Sequence, residues 1–309
     1  MDYLLYHIIS VAFRIVGLIP RHKAVMLSRG LGNAWFVLDR RHRKVALDNL
    51  TYVFGCEKSP TEIRQMARRI FANLVRVLFE VGWAYRSSPE EVARHVRIDG
   101  LIHLQQAYRK GRGVMVLTGH LGSWELLSDA AGVLGYPMNV IYRPLDFKPL
   151  DWFFANLRSR SGARLFPKAS AMRKVLRSLQ DNQLVGTLLD QNSVRRAGVF
   201  VDFFGKPACT NKGLALIVQK TRSPVIPIFL VREADKYRMV IGPEIPLSLT
   251  GDKNRDMEKN TRQFNRVIEA MIRRYPEQWF WVHRRWKTRP LNESAHAPPH
   301  KDQGNNQWN

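Results

Sequence analysis

From about Val96 onward, short apolar runs alternate with longer amphipathic ones, and this alternation constrains the fold more than any other feature. Strand-like runs occupy residues 96–98, 114–117, 139–142, 184–189, 199–204, 225–231 and 238–241. Helix-like runs occupy 101–109, 121–134, 150–160, 169–180, 211–220 and 257–275. Parallel strands need crossover connections about as long as a helix, so the pattern predicts an α/β domain. The expected architecture is a mixed, mostly parallel sheet covered by helices on both faces, spanning residues 96–290.

Residues 21–95 read as a helical region covering that core. Residues 23–54 divide into two short helices joined by a basic turn at 39–43. Ser59-Pro60-Thr61-Glu62 marks a helix start, with Ser59 as N-cap, Pro60 at the first position and Glu62 closing a capping box. The helix that follows carries Ile63, Met66, Ile70, Leu74, Val77, Leu78 and Val81 on one face and basic residues on the other. Residues 291–309 are rich in Pro, His, Asn and Gln with little apolar content, and disorder is expected there.

Residues 3–20 form the first apolar run. Wound as a helix it places His7, Ser10, Arg14 and Gly17 on one narrow stripe and apolar side chains elsewhere. Its length is about 27 Å, against a hydrocarbon core of about 30 Å. Arg14 disfavours a full span, so the run is expected to anchor the protein in one leaflet. A short span and an amphipathic helix packed on its own domain are the alternatives. Arg21, Lys23, Arg29, Arg40, Arg41, Arg43 and Lys44 follow. They hold the next domain on the cytoplasmic side of a spanning helix, or face anionic headgroups if the helix lies flat. No small-residue cleavage site follows the run.

The formal net charge of the 309-residue chain is +23, which fits an anionic membrane, an acidic protein or nucleic acid as partner. Nothing resembles an RNA-binding aromatic motif or a C-x2-C finger, which argues against nucleic acid. Two cysteines, Cys56 and Cys209, supply no disulfide framework. They and the tail histidines His296 and His300 are expected to be bystanders.

The candidate chemistry lies in residues 113–125, Gly-Val-Met-Val-Leu-Thr-Gly-His-Leu-Gly-Ser-Trp-Glu. The apolar run ends in Thr118-Gly119, so His120 falls at the carboxyl end of a strand, where open α/β sheets place ligands. Glu125 follows five positions later, which resembles the H-x4-D/E motif of glycerolipid-type acyltransferases. Transfer of an acyl group from a thioester to an alcohol requires the alcohol to lose a proton. A neutral imidazole takes it, and a carboxylate on the other ring nitrogen holds the tautomer. Residues five apart in mid-helix lie about 140° apart, so the two side chains meet only if His120 precedes the helix. Gly122-Ser123-Trp124 is not a G-x-S-x-G elbow, which makes Ser123 a poor nucleophile.

Further blocks make the resemblance specific. They are residues 140–146 (Val-Ile-Tyr-Arg-Pro-Leu-Asp) with an arginine-rich helix behind, 188–192 (Leu-Leu-Asp-Gln-Asn), 198–210, 224–229, and 276–290 (Pro-Glu-Gln-Trp-Phe-Trp-Val-His-Arg-Arg-Trp-Lys-Thr-Arg-Pro). Over residues 3–290 the chain resembles the bacterial lipid A biosynthesis (late) acyltransferases, within the lysophospholipid acyltransferase superfamily. The Phe-Pro-Glu-Gly element of glycerol acyltransferases is missing; Val201-Asp202-Phe203-Phe204-Gly205 stands in that region.

The resemblance implies transfer of a fatty acyl chain from acyl carrier protein to a hydroxyl of a lipid A precursor at the cytoplasmic face of the inner membrane. It implies His120 as general base, Glu125 as its orienting carboxylate, and no metal or organic cofactor. The acceptor would be a phosphorylated glycolipid, with Arg143, Arg158, Arg160, Arg164, Arg284, Arg285, Lys287 and Arg289 as candidate ligands of phosphate and carboxylate groups. Asp190 and Gln191 fall at a strand end and either order a loop or touch substrate. Two other functions fit the sequence: an acyl-CoA-dependent acyltransferase acting on another glycolipid, such as a glycosylated phosphatidylinositol, and a basic non-catalytic binder of membrane or nucleic acid.

Overall fold

The computed structural model describes residues 1–234 and 236–290; the expected disordered tail, with His296 and His300, lies outside them. Four helices come first: α1 (Asp2–Val16), α2 (Arg21–Leu38), α3 (Arg40–Phe54) and α4 (Pro60–Arg86). The start of α4 is the expected capping box. Ser59 Oγ accepts from the Glu62 amide, and the Glu62 carboxylate accepts from the Ser59 amide at 2.8 Å. Its apolar face is buried as expected except at Leu78, which is 50% exposed. One step past the buried Val77 turns a side chain about 100° around the axis, onto the outer side. The basic turn expected at 39–43 contracts to Asp39 alone. Its carboxylate caps α3 by accepting from the His42 amide at 3.0 Å, and Arg40 to Arg43 are helical.

α1 and α2 both pack on α4, and α1 also packs on α8 (Lys148–Ser159). α1 is apolar on its packed face, through Tyr6, Ile9 and Phe13, and also on much of its outer face, where His7 and Arg14 are exposed as well. Ser10 and Gly17, from the polar stripe, face inward, while Tyr3, Leu4, Ile8, Val11 and Ile15 are exposed. The reason is close approach: a side chain at Gly17 would collide with the Gly82 carbonyl of α4. Phe13 supplies the apolar contact, stacked on Phe153 of α8 at 4.4 Å between ring centres. Among the described residues no single helix is long and apolar enough to cross a membrane. α1 and α2 meet the length and composition test only as a pair, bent by 112°.

After α5 (Pro89–Arg94) the chain alternates as expected: β1 (Val96–Asp99), α6 (Leu101–Tyr108), β2 (Val114–Thr118), α7 (Leu127–Val133), β3 (Met138–Tyr142), α8, β4 (Leu165–Pro167), α9 (Ala171–Gln180) and β5 (Leu184–Leu188). The hairpin β6 (Gly198–Phe203) and β7 (Lys206–Asn211) follows, then α10 (Gly213–Thr221), β8 (Val225–Glu233), β9 (Lys236–Ile241) and α11 (Lys253–Arg274). The main sheet has seven strands in the order β1-β9-β8-β2-β5-β3-β4. All pairs are parallel except β8 with β9, so the mixed, mostly parallel sheet is as expected. The run expected as a strand at 199–204 forms β6 and pairs only with β7, outside this sheet. β4 and β7 escape the apolar-run criterion because β4 is three residues long and β7 is Lys-Pro-Ala-Cys-Thr-Asn.

β2 is buried at every position. Met115 and Leu117 join the core beneath α3, α4, α9, α10 and α11, while Val114 and Val116 join the core on the opposite face. Alternate side chains of one strand thus feed two cores, which is why the strand reads as a continuous apolar run. From β2 the chain passes through α7 to β3 and β4 on one flank, returns to β5 beside β2, and then crosses to β8 on the other flank. The carboxyl ends of β2 and β5 therefore lie at a topological switch point, the usual ligand position in such sheets.

Candidate active site

His120 follows β2 by two residues, and Asp190 follows β5 by two. The strands are parallel neighbours with Thr118 opposite Leu188, so the same register carries His120 opposite Asp190. One Asp190 oxygen accepts from the His120 amide at 2.9 Å, and the other faces His120 Nδ1 at 2.9 Å. The indole of Trp279 donates to the first oxygen at 2.8 Å. Burial pushes the Asp190 carboxyl up, but the His120 charge and the hydrogen bonds from the ring, the indole and the His120 amide outweigh it, holding it at about 2. Asp190 is therefore a carboxylate, which only accepts, so His120 Nδ1 carries the hydrogen. In the neutral ring Nε2 is then the acceptor. The His120 side chain is 24% exposed and Asp190 1%.

Around the ring, Trp124 lies edge-on at 5.5 Å and Phe280 at 5.9 Å between centres. The Gln191 amide nitrogen stands 3.5 Å from His120 Nε2. Glu125 is close by but does not bond to the imidazole. Arg158 Nε donates to one Glu125 oxygen at 2.8 Å and Nη2 to the other at 2.7 Å, while the Trp124 indole also donates to the latter at 3.0 Å. Burial raises the Glu125 carboxyl, and Arg158 outweighs it, leaving the group below its ordinary value. The expected contact between His120 and Glu125 is thus corrected. Arg158 from α8 takes the carboxylate in a bidentate grip.

The backbone explains why Glu125 faces away. The helix expected from Leu121 begins later, with a 3-10 turn at Trp124–Leu126 before α7. Residues 119–123 are engaged elsewhere. The Gly122 amide donates to Gln278 O at 3.0 Å, the Ser123 amide to Leu230 O at 2.8 Å, and Phe280 N donates to His120 O at 3.1 Å. Gly122 has φ +69°, and a side chain there would strike the Leu230 carbonyl, so the position requires glycine. Ser123 is fully buried and donates to Glu80 at 2.7 Å, which removes it as a nucleophile. Glu80 also accepts from Arg232 Nε at 2.6 Å, and Arg232 Nη2 donates to Gly122 O at 3.0 Å.

The structure sorts the other candidate residues. Gln191 and Arg158 come together with His120 and Glu125. Asp190 is at the site, but burial and its three donors leave it no access to substrate. Arg160 is committed to Asp129 and to the Ala84 and Ser87 carbonyls, using all three of its nitrogens. Arg164 precedes β4 and lines hollows beside Tyr136, Gln183 and Arg177, at the amino ends of β3 and β5 and away from His120. Arg143 follows β3, exposed and paired with Asp146 at 3.0 Å. Arg285 is fully buried, donating to Cys209 O at 3.1 Å and Thr210 Oγ at 2.6 Å above the Phe203 ring, and burial lowers it to about 10. It therefore organises the core and does not reach a ligand. Arg284 and Lys287 are exposed, and the Arg289 carbonyl accepts from Arg195 at 2.6 Å. Both cysteines are free, Cys56 exposed and Cys209 buried.

His283, unassigned in the sequence reading, accepts from the Asn192 amide at 2.8 Å. Burial lowers it to about 4, against the opposing pull of Asp190. Among the described residues no three His, Cys, Asp or Glu side chains converge to hold a metal ion.

A histidine beside a buried carboxylate, at the switch point of a mostly parallel sheet and walled by aromatic rings, belongs to a group-transfer enzyme of the α/β class. The chain belongs to the bacterial lipid A biosynthesis acyltransferase family, whose family model matches residues 1–288. It is 30% identical over 259 residues to the lipid A biosynthesis palmitoleoyltransferase of Escherichia coli K12, covering 83% of this chain and 82% of that protein. It is 28% identical over 286 residues to the lipid A biosynthesis lauroyltransferase of the same organism, covering 91% and 90%. A lipid A biosynthesis acyltransferase of Haemophilus influenzae is 27% identical over 263 residues, covering 83% and 79%.

Proposed function

We propose that the protein transfers a fatty acyl chain from the thioester of acyl carrier protein to a hydroxyl of a lipid A precursor, with His120 as general base. The observation that carries this reading is the placement of the imidazole. Nδ1 faces a buried carboxylate at 2.9 Å, which leaves Nε2 of the neutral ring as the acceptor, on a partly exposed side chain at the carboxyl end of β2. The acceptor hydroxyl gives its proton to Nε2 as its oxygen attacks the thioester carbonyl. The tetrahedral intermediate collapses with cleavage of the carbon–sulfur bond, and the imidazolium returns the proton to the departing thiolate. Ester and thiol are the products. Arg158 and Glu125 form a largely buried ion pair beside the ring, and the exposed Arg143, Arg284 and Lys287 are the candidates for acceptor phosphates, Arg143 being shared with Asp146.

The same proposal sets the protein on the cytoplasmic face of the inner membrane. The supporting observation is the outward apolar side chains of α1, together with the exposed Met26, Leu27 and Leu31 of α2 and the exposed Lys23 and Arg29. That composition favours an interfacial helix pair on anionic lipid.

The test is purified protein with a lipid A precursor in mixed micelles, offered acyl-acyl carrier protein or acyl-CoA, with product mass as readout. The expected result is one added acyl chain from the carrier-protein donor, and a loss of at least about 10²-fold in turnover for His120→Ala. Full turnover by folded His120→Ala removes the base. A clear preference for acyl-CoA replaces the donor.

A further inference from the structure

We infer that the protein binds a small inorganic anion, of the size of chloride, between strands β8 and β9 and the helices α2 and α4. Arg21, Arg232 and Tyr237 supply the donors.

Strand pairing puts two of these side chains together. β8 and β9 are antiparallel with Arg232 opposite Tyr237, so the two leave the same face of the sheet as neighbours. α4 covers that face with Arg76, Glu80 and Trp83, which lie on one stripe of the helix. Arg232 Nε donates to Glu80 at 2.6 Å, and Arg76 approaches the same carboxylate at 3.3 Å. Trp83 stacks on Tyr237 at 6.1 Å between ring centres. Arg21, the first residue of α2, completes the cluster. Its guanidinium carbon lies 4.9 Å from the centre of the Trp83 ring and 5.1 Å from that of Tyr237, and both contacts hold the cation in place.

Two properties of the cluster call for an anion. The first is charge. Glu80, Arg21, Arg232 and Arg76 are the charges that act on the Tyr237 hydroxyl, three guanidiniums against one carboxylate. Arg232 and Tyr237 are 6% and 1% exposed, so bulk water screens the inner part of this excess poorly. The second is hydrogen bonding. Arg21 Nη2, Arg232 Nη1 and Tyr237 Oη are buried and have no partner among the described residues. Burial, and then the Glu80 charge, raise the phenol above its ordinary value, so it keeps its proton and donates. Three donors thus gather where positive charge is in excess. A water molecule satisfies donors without neutralising charge. A monatomic anion does both, and it imposes no fixed acceptor geometry on groups arriving from a sheet and two helices.

The experiment uses the full-length protein in nonionic detergent, exchanged into sodium gluconate. Its melting temperature is followed as chloride replaces gluconate at constant ionic strength. The midpoint should rise by at least about 2 °C and then saturate, as for a ligand bound only by the folded state. Bromide should act in the same way, and crystals grown in bromide should show an anomalous peak within hydrogen-bonding reach of Arg232 and Tyr237. Tyr237→Phe keeps the ring stack and every charge but removes one donor, and should raise the half-saturating chloride concentration by about tenfold. Arg21→Met should abolish the saturable rise. The inference is overturned if the melting temperature follows ionic strength whichever anion supplies it, if phosphate shifts it and halide does not, or if both variants respond as the wild type does. Should a variant fail to fold, the wild-type bromide map decides, because no peak at saturating bromide ends the assignment.

Discussion

The Arg232 guanidinium of β8 donates to the Glu80 carboxylate of α4 at 2.6 Å, directly behind the turn that carries His120. Both side chains are buried, with 4% and 6% exposure, and Arg76 approaches the same carboxylate at 3.3 Å. Through Ser123 Oγ and Gly122 O the pair grips the turn from below. Removing one partner leaves a buried charge uncompensated. Glu80→Ala is expected to cost about 3–5 kcal/mol of stability, while Glu80→Met with Arg232→Met recovers most of it. Denaturant melts of the single and double variants check this; equal losses for both would mean the pair itself is stabilising.

The exposed apolar side chains of α1 are distinct from those that pack it on α4 and α8, so the proposed membrane contact can be tested without disturbing the fold. Ile8 and Val11 are 54% and 55% exposed. Ile8→Ser with Val11→Ser should leave the melting temperature unchanged and weaken binding to anionic vesicles by at least about tenfold, the scale of two lost apolar contacts. Deleting residues 1–20 is a poorer test, because it also strips α1 from α4 and α8. Vesicle sedimentation that shows no change in the double variant would put the anchor elsewhere.

Arg158, Arg160 and Arg164, in and just after α8, should respond differently although they are close in sequence. Arg158→Met leaves Glu125 buried without its cation and should lower kcat by at least about tenfold. Arg160→Ala uncovers the Asp129 carboxylate and two carbonyls, so its first effect should be on stability. Arg164→Glu, at the opposite end of the strands, should leave kcat and KM within about twofold at physiological salt. Steady-state kinetics beside melting curves distinguish these outcomes, and a strong kinetic defect in Arg164→Glu would contradict its placement.

Acid stability should fall in two windows. His283 is held neutral, its value lowered to about 4 from 6.5. The unfolded chain therefore binds this proton first, and the stability present above pH 6.5 is lost on acidification towards pH 4, by about 3 kcal/mol. Asp190 is lowered to about 2 from 3.8. Its contribution, about 2 kcal/mol, is present above pH 4 and disappears as pH falls through 2. Melts of wild type and His283→Gln between pH 7 and about pH 2 are the check. The variant should flatten the upper window only.

The legible parts of the sequence were those written locally. Apolar runs, the Ser59 cap and the Gly-His corner each depend on a few neighbouring residues, and each forms where expected. The partners of His120 depend on strand order, and nothing in the run 184–189 states that it pairs with 114–118. Had that adjacency been known, the matching offsets of His120 and Asp190 from their strands would have exposed the contact. The expected contact between Glu125 and His120 does not form because the partner of Glu125, Arg158, arrives from α8 and local spacing cannot show it. Arg285 read as a ligand for a related reason. Its cage of Phe203, Cys209 and Thr210 comes from the β6–β7 hairpin, and sequence alone shows only one more cation in a basic stretch.

Residues 276–286 close the structure from several sides. Trp279 holds Asp190, Phe280 walls His120 and binds its carbonyl, and Asn49 of α3 donates to the Trp281 and His283 carbonyls at 2.8 and 2.9 Å. The ribosome makes His120 and the amino-terminal helices long before it makes this segment. A nascent chain therefore carries His120 with Trp124 beside it but without Phe280, with Asn49 awaiting its carbonyl acceptors and Asp190 its indole donor. The surroundings of His120 are therefore completed late in synthesis, by the last segment of the described chain to emerge.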